Sequence, residues 1–233
     1  MKRSRTASGL NRSTQRVSRR KWTRNWVFDL DNTLHNATPH IFPHINRAMT
    51  DYLQSELGLD ADAASELRRH YWKRYGATLL GLMRHHGTEP RHFLWHTHQF
   101  SELDRMIIRE PLLRATLRRL PGRKFVFSNA PVRYARAVLK ALAIADLFDA
   151  VFSIERTRYR PKPDAYGFLR FVRANRLCAQ RCIMVEDTLV NLRTAKKLGM
   201  KTVWVSREKR APGYVDVRIS NLSGLRRRLP QLA

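Results

Sequence analysis

Asp29 and Asp31 sit two residues apart, directly after the apolar run Trp26-Val27-Phe28. In an extended chain, positions i and i+2 face the same side. One carboxylate of such a pair can attack phosphorus. The other can protonate the leaving oxygen and later activate water. Two close carboxylates also repel each other, which favours a bound cation or protonation of one. Glu186-Asp187 follows a second apolar run, Cys182–Val185, and Ser128-Asn129 follows a third, Phe125–Phe127. The acids suit Mg2+, a hard ion that takes carboxylate, carbonyl, water and phosphate oxygens. Ser128 and Asn129 could donate hydrogen bonds to phosphoryl oxygens. Lys162, held between Pro161 and Pro163, could balance the charge of nucleophile and phosphate. Each piece alone has a plainer reading: a helix cap for Ser128-Asn129 or Glu186-Asp187-Thr188, a surface cation for Lys162. Their order at the ends of apolar runs is what argues for a site.

Elements must bring these residues together. Two further apolar, β-prone runs are Ala150–Ile154 and Thr202–Val205. Helical spacing fills the gaps over 132–142, 164–174 and 189–198, the last ending at Gly199. Strands alternating with helices predict an α/β fold with a parallel sheet covered on both faces. Right-handed crossovers put every strand's C-terminal end on one edge, where ligands of open α/β sheets bind. A short strand over Val215–Ile219 and a helix near 221–229 close the chain.

The segment 37–112 interrupts that alternation. An amphipathic helix is expected over 41–57, ended by Gly58. One or two more are expected over 61–86, with Gly76 and Gly81 as weak points. Pro90 and Pro111 punctuate the rest of the segment. All nine histidines fall between His35 and His98. His40 and His44 lie at i, i+4, but no cysteine or acid cluster accompanies them, which argues against a zinc site.

Composition bounds the rest. At 43% hydrophobic residues over 233 positions, a core needs no disulfide framework, and Cys178 and Cys182 could not supply one. They read as thiols of a reducing, cytoplasmic compartment. Lys and Arg number 45 against 19 Asp and Glu, a formal charge of +26 that attracts polyanions. Nine of those cations lie in residues 1–24, which hold no acid and read as a disordered basic tail. Arg19-Arg20 lacks the apolar stretch of an export signal, and no run of 18 apolar residues suggests a transmembrane helix.

The set resembles the haloacid dehalogenase-like hydrolases. Phe28-Asp29-Leu30-Asp31-Asn32-Thr33-Leu34 is similar to their first motif and Phe127-Ser128-Asn129 to the second. Lys162 within Arg160-Pro161-Lys162-Pro163 looks like the third, and Val185-Glu186-Asp187-Thr188 the fourth. The resemblance implies a Rossmann-like core over 25–36 and 113–233, with a helical cap over 37–112. It implies a phospho-aspartyl intermediate at Asp29, general acid–base work by Asp31, and Mg2+ held by Asp29, the Asp31 main-chain carbonyl and Asp187, with Glu186 in or beside the shell. Dehalogenases of the family do not need an acid at the position of Asp31, so phosphate transfer is favoured. Tyr75-Gly76-Ala77-Thr78-Leu79-Leu80-Gly81-Leu82 resembles a stretch of the pyrimidine 5'-nucleotidase-like branch, which implies substrate contacts near Tyr75 and Thr78 and a small phosphorylated metabolite, a nucleotide, as substrate. The alternative readings are a phosphosugar phosphatase or mutase on the same core, and a basic nucleic-acid-associated protein. Against the latter stands the lack of an aromatic platform or nucleic-acid motif.

Overall fold

The computed structural model describes residues 24–232. The expected basic tail lies almost wholly outside them. Six strands form one parallel sheet: β1 (Asn25–Phe28), β2 (Lys124–Phe127), β3 (Ala150–Phe152), β4 (Cys182–Glu186), β5 (Lys201–Val205) and β6 (Val217–Ile219). Their order is β3-β2-β1-β4-β5-β6, which places β1 at the centre between β2 and β4. Phe28 is in register with Val126 on one side and Val185 on the other. The architecture is the α/β, Rossmann-like one expected from the alternating pattern.

The strands are apolar throughout because both faces are covered. Trp26, Phe28, Val126, Ile183 and Val185 pack on one face, under α6 (Leu113–Arg119), α7 (Val132–Ala141) and α10 (Leu225–Leu232). Val27, Phe125, Phe127, Met184 and Trp204 pack on the other, under α8 (Ala165–Ala174) and α9 (Leu189–Lys197). The period of two along each strand explains the division. Cys182 is buried in this second layer, where burial pushes its thiol up to about 12; Cys178 is exposed, and the two are not bonded.

Between β1 and α6 run five helices: α1 (Ile41–Leu57), α2 (Ala61–Tyr75), α3 (Thr78–His86), α4 (Pro90–Thr97) and α5 (Leu103–Met106). Asn36 and Ile108 pair in an antiparallel bridge where the chain leaves and re-enters the sheet layer. The first four helices enclose their own apolar cluster, including Tyr52, Leu53, Tyr71, Leu82 and Phe93. Gly58 ends α1 in the left-handed conformation, its N–H returned to the Gln54 carbonyl.

The two glycine weak points expected over 61–86 come out differently. The chain does break at Gly76 (φ 79°), where α2 ends with Tyr75 before α3 begins at Thr78. Gly81 is no weak point: it lies inside α3 against the Tyr71 ring, where a β-carbon would come within 2.1 Å of Tyr71 Cγ. The proline-punctuated stretch contains α4, with Pro90 in its first turn and the Glu89 carboxylate accepting from His92 N–H at 2.6 Å. Among the described residues, no helix is long and apolar enough to cross a membrane.

Candidate active site

β1 ends at Phe28, but the ladder continues for one more bond: Asp29 N–H donates to the Val185 carbonyl at 2.9 Å. That bond fixes Asp29 at the C-terminal edge beside Glu186, the last residue of β4. Ser128 is held in the same manner, its N–H donating to Phe152 O at 3.0 Å. The sheet itself delivers the three polar clusters to one edge.

Lys162 reaches this edge from the loop before α8. It is buried, and its Nζ donates to Asp29 Oδ1 and to Glu186 Oε2, each at 2.7 Å. Burial works against the ammonium, but Asp29 and Glu186 together outweigh it and hold its pKa above the ordinary lysine value. Burial pushes the Asp29 carboxyl above its usual range, Glu186 adds to the shift, and Lys162 opposes it. Burial raises Glu186 and Asp187 as well.

Carboxylate oxygens of Asp29, Glu186 and Asp187 lie within 4.8 Å of one another. Three ionised carboxylates against one ammonium leave the cluster two charges negative. A hard divalent cation would cancel that excess, and oxygen donors suit Mg2+. The donor set therefore fits the ion implied by the sequence motifs, with Glu186 beside Asp29 and Asp187. The Asp187 carbonyl accepts from Trp204 Nε1 at 2.8 Å, which pins its backbone.

Asp31 faces different company. The extended strand does not carry on to it: a turn closes behind, with Leu34 N–H donating to Leu30 O at 2.8 Å. Asp31 Oδ1 accepts from the Tyr134 hydroxyl at 2.6 Å and lies 2.9 Å from His35 Nε2. A carboxylate only accepts, so that nitrogen carries the hydrogen. Both contacts fall on Oδ1, and Oδ2 bears neither. Burial and the Asp31 charge hold the Tyr134 phenol protonated. His35 is buried and its Nδ1 has no partner among the described residues.

Asn129 has a role that the sequence did not show. Its amide grips the Lys162 backbone from both ends, Nδ2 donating to the carbonyl at 3.0 Å and Oδ1 accepting from the N–H at 2.7 Å. It aims the Lys162 loop, with one amide hydrogen left over. Thr194 of α9 fixes the next residue by donating to Pro163 O at 2.9 Å. Ser128 Oγ accepts from Ala130 N–H at 3.0 Å and keeps its own hydrogen to donate.

A cavity of about 490 Å³ opens between this edge and the helices of the insert, with Asp31 and Asn129 on its wall. Thr78 lines it, its hydroxyl donating to Arg68 O at 3.1 Å. Tyr75 does not: its hydroxyl meets His85 Nε2 at 2.6 Å, outside the cavity. His98 lines it too, and burial pushes the imidazole down to about 4, leaving it neutral near pH 7. Other histidines of the insert pair with tyrosines, Tyr52 with His92 at 2.9 Å and Tyr71 with His86 at 2.8 Å. Among the described residues none joins a metal-ligand cluster.

Tyr134 and His35 were given no role from the sequence, and His98 entered only with His96 as a conceivable metal pair. Tyr134 reads there as one more core residue on a helix face. His35 stands four residues after Asp31, a spacing that could have pointed to it.

The family model of haloacid dehalogenase-like hydrolases matches residues 24–199, and the chain belongs to that family of hydrolases. Among curated proteins it is 26% identical over 190 residues to Phosphate metabolism protein 8 of Saccharomyces cerevisiae. That match covers 75% of this chain and 59% of the yeast protein. Among solved structures, the HAD phosphatase from Thermococcus onnurineus superimposes with a TM-score of 0.64 at 23% identity, over 88% of this chain and 97% of that one. The 2-haloacid dehalogenase from Pseudomonas syringae pv. Tomato DC3000 gives 0.57 at 23% identity, over 90% and 99%. These likenesses establish the shared fold.

Proposed function

We propose that the protein is a Mg2+-dependent phosphomonoester hydrolase that works through an aspartyl-phosphate at Asp29, with a nucleoside monophosphate as substrate. The observation that carries this reading is the division of labour between the two aspartates: Asp29 is paired to Lys162, while Asp31 is held apart by Tyr134 and His35.

Lys162 occupies Asp29 Oδ1, so Oδ2 is the oxygen free to attack phosphorus. As that O–P bond forms, the bond from phosphorus to the leaving oxygen breaks, and Asp31 Oδ2 gives its proton to the departing alcohol. In the second half, Asp31 takes a proton from water, the resulting hydroxide attacks the phosphoryl group, and Asp29 is released together with inorganic phosphate. Ser128, the spare Asn129 N–H and Lys162 offer donors for phosphoryl oxygens throughout. Asp29, Asp187 and the Asp31 carbonyl would hold Mg2+, with Glu186 beside them; the ion supplies charge neutralisation for the transferring group. A dehalogenase does not require the proton donor that Asp31 provides.

The helices over the edge act as the cap, closing the cavity from water and choosing the substrate. Its largely apolar wall suits a flat ring better than the hydroxyl-rich face of a phosphosugar.

Phosphate release from UMP, CMP, AMP and sugar phosphates, with Mg2+ and with EDTA, tests the reading. Expected is release from the pyrimidine nucleotides that EDTA abolishes. Asp29→Asn should lower kcat by ~10⁴-fold or more, as loss of a covalent nucleophile does; turnover that survives the substitution would overturn the mechanism.

A further inference from the structure

The cavity wall beyond Asp31 is mostly hydrocarbon. Phe42, Ile45 and Met49 of α1 and Trp72 of α2 line it. On the α1–α2 side of that wall stand two polar side chains, Asn46 of α1 and Arg68 of α2, and they are bonded to each other: Arg68 Nη1 donates to Asn46 Oδ1 at 2.7 Å. Asn46 Oδ1 is the only acceptor atom of the two side chains, and this bond engages it. What the pair offers besides is mostly donors: the Asn46 amide hydrogens and the rest of the guanidinium. Arg68 Nε is buried with no hydrogen-bond partner, and among the described residues no carboxylate lies in ion-pair range of Arg68. Burial, with Arg69 alongside, lowers the pKa of the guanidinium.

We infer that Arg68 and Asn46 form a subsite for a ring oxygen of the leaving group, the 2-oxo group of a pyrimidine base. The inference rests on the nucleoside monophosphate reading above and says which atoms of the chain choose the base. The hydrocarbon wall accepts the faces of a flat ring; the polar pair beside it favours an oxygen or a bare ring nitrogen. A pyrimidine nucleoside meets this with its 2-oxo group whether the base is uracil or cytosine. Adenine offers ring nitrogens alone, each with one lone pair, whereas a carbonyl oxygen has two and can accept from both side chains at once. Thr78 ties the arrangement together, because its bond to Arg68 O joins α3 to the turn of α2 that bears the guanidinium.

The test uses the full chain and two substitutions outside the catalytic edge. Arg68→Met keeps the bulk and removes the donors; Asn46→Asp turns a donor into an acceptor and gives Arg68 an ion-pair partner. Uridine binding followed by calorimetry needs no turnover. It is expected to weaken ~10–100-fold in both variants, with adenosine binding weaker than uridine in the wild type and insensitive to either change. Hydrolysis of p-nitrophenyl phosphate, which carries no base, reports on Asp29 and Asp31 separately and should be retained within ~2-fold. Uridine affinity unchanged in both variants would overturn the subsite. So would a loss confined to substrates bearing a second phosphate, which would give Arg68 to an anion instead. Absence of p-nitrophenyl phosphate hydrolysis in the wild type would count against the phosphatase reading alone, leaving the uridine titration to judge the subsite.

Discussion

Asp31 has two donors on one oxygen, and that asymmetry decides how it can act. With Tyr134 and His35 both on Oδ1, the proton to be transferred belongs on Oδ2. Tyr134 is a positioning residue: its hydroxyl bonds the Asp31 carboxylate and acts through it. Tyr134→Phe removes one hydrogen bond to a charged group, worth about 1.5–3 kcal/mol, and should lower kcat ~10–100-fold with KM changed less than ~2-fold. Thermal melting should be little altered, since the ring stays packed. A rise in KM with kcat intact would assign the hydroxyl to substrate binding instead. The strand-end residues were legible in the sequence because charge after an apolar run is conspicuous. Tyr134 was not: its ring obeys the helical pattern of a core residue, and its hydroxyl leaves no trace in that pattern. Asn129 shows the converse. Its place was readable, but that its amide also clasps the Lys162 backbone depends on where the loop before α8 passes.

Elements were readable in proportion to the apolar surface they bury. The central strands are near-continuous hydrophobic runs and stand out. α1, with buried residues at Ile41, Ile45, Tyr52 and Leu53, shows its face plainly. α5 has no buried residue and left no pattern to find. The contact between α2 and α3 is where local preference and packing disagree. Helix propensity favours alanine over glycine by about 1 kcal/mol, so Gly81→Ala would stabilise an isolated α3. In the fold, the added carbon meets Tyr71 Cγ at 2.1 Å and Tyr71 Cβ at 2.6 Å. Neither atom is the far end of a flexible chain, so the helices must part. The expected outcome is a net loss of ~1–3 kcal/mol, read as a lower denaturant midpoint with unchanged slope. An unchanged or higher midpoint would mean that α2 yields without cost.

The whole molecule carries +26 in formal charge, yet the active edge concentrates acids. The two act at different ranges. The diffuse positive field draws a phosphate ester toward the surface, and the buried cluster acts only on contact. Raising ionic strength from about 0.01 to about 1 M shortens the screening length from ~30 to ~3 Å. It should lower kcat/KM for a nucleoside monophosphate ~10-fold while kcat holds. A salt-independent kcat/KM, measured at fixed Mg2+, would show that the field plays no part in capture.

The bridge between Asn36 and Ile108 has one more consequence. Because the exit and the return of the helical insert are stitched side by side, the insert is a closed excursion whose length the strand pairing does not sense, although Ile41 and Ile45 at its root share the sheet's core. Lineages could exchange, lengthen or re-line that excursion without disturbing a single strand pairing. Chemistry and choice of substrate would then be inherited separately, with the edge acids under one set of constraints and positions such as Asn46 and Arg68 free to drift toward new cargo.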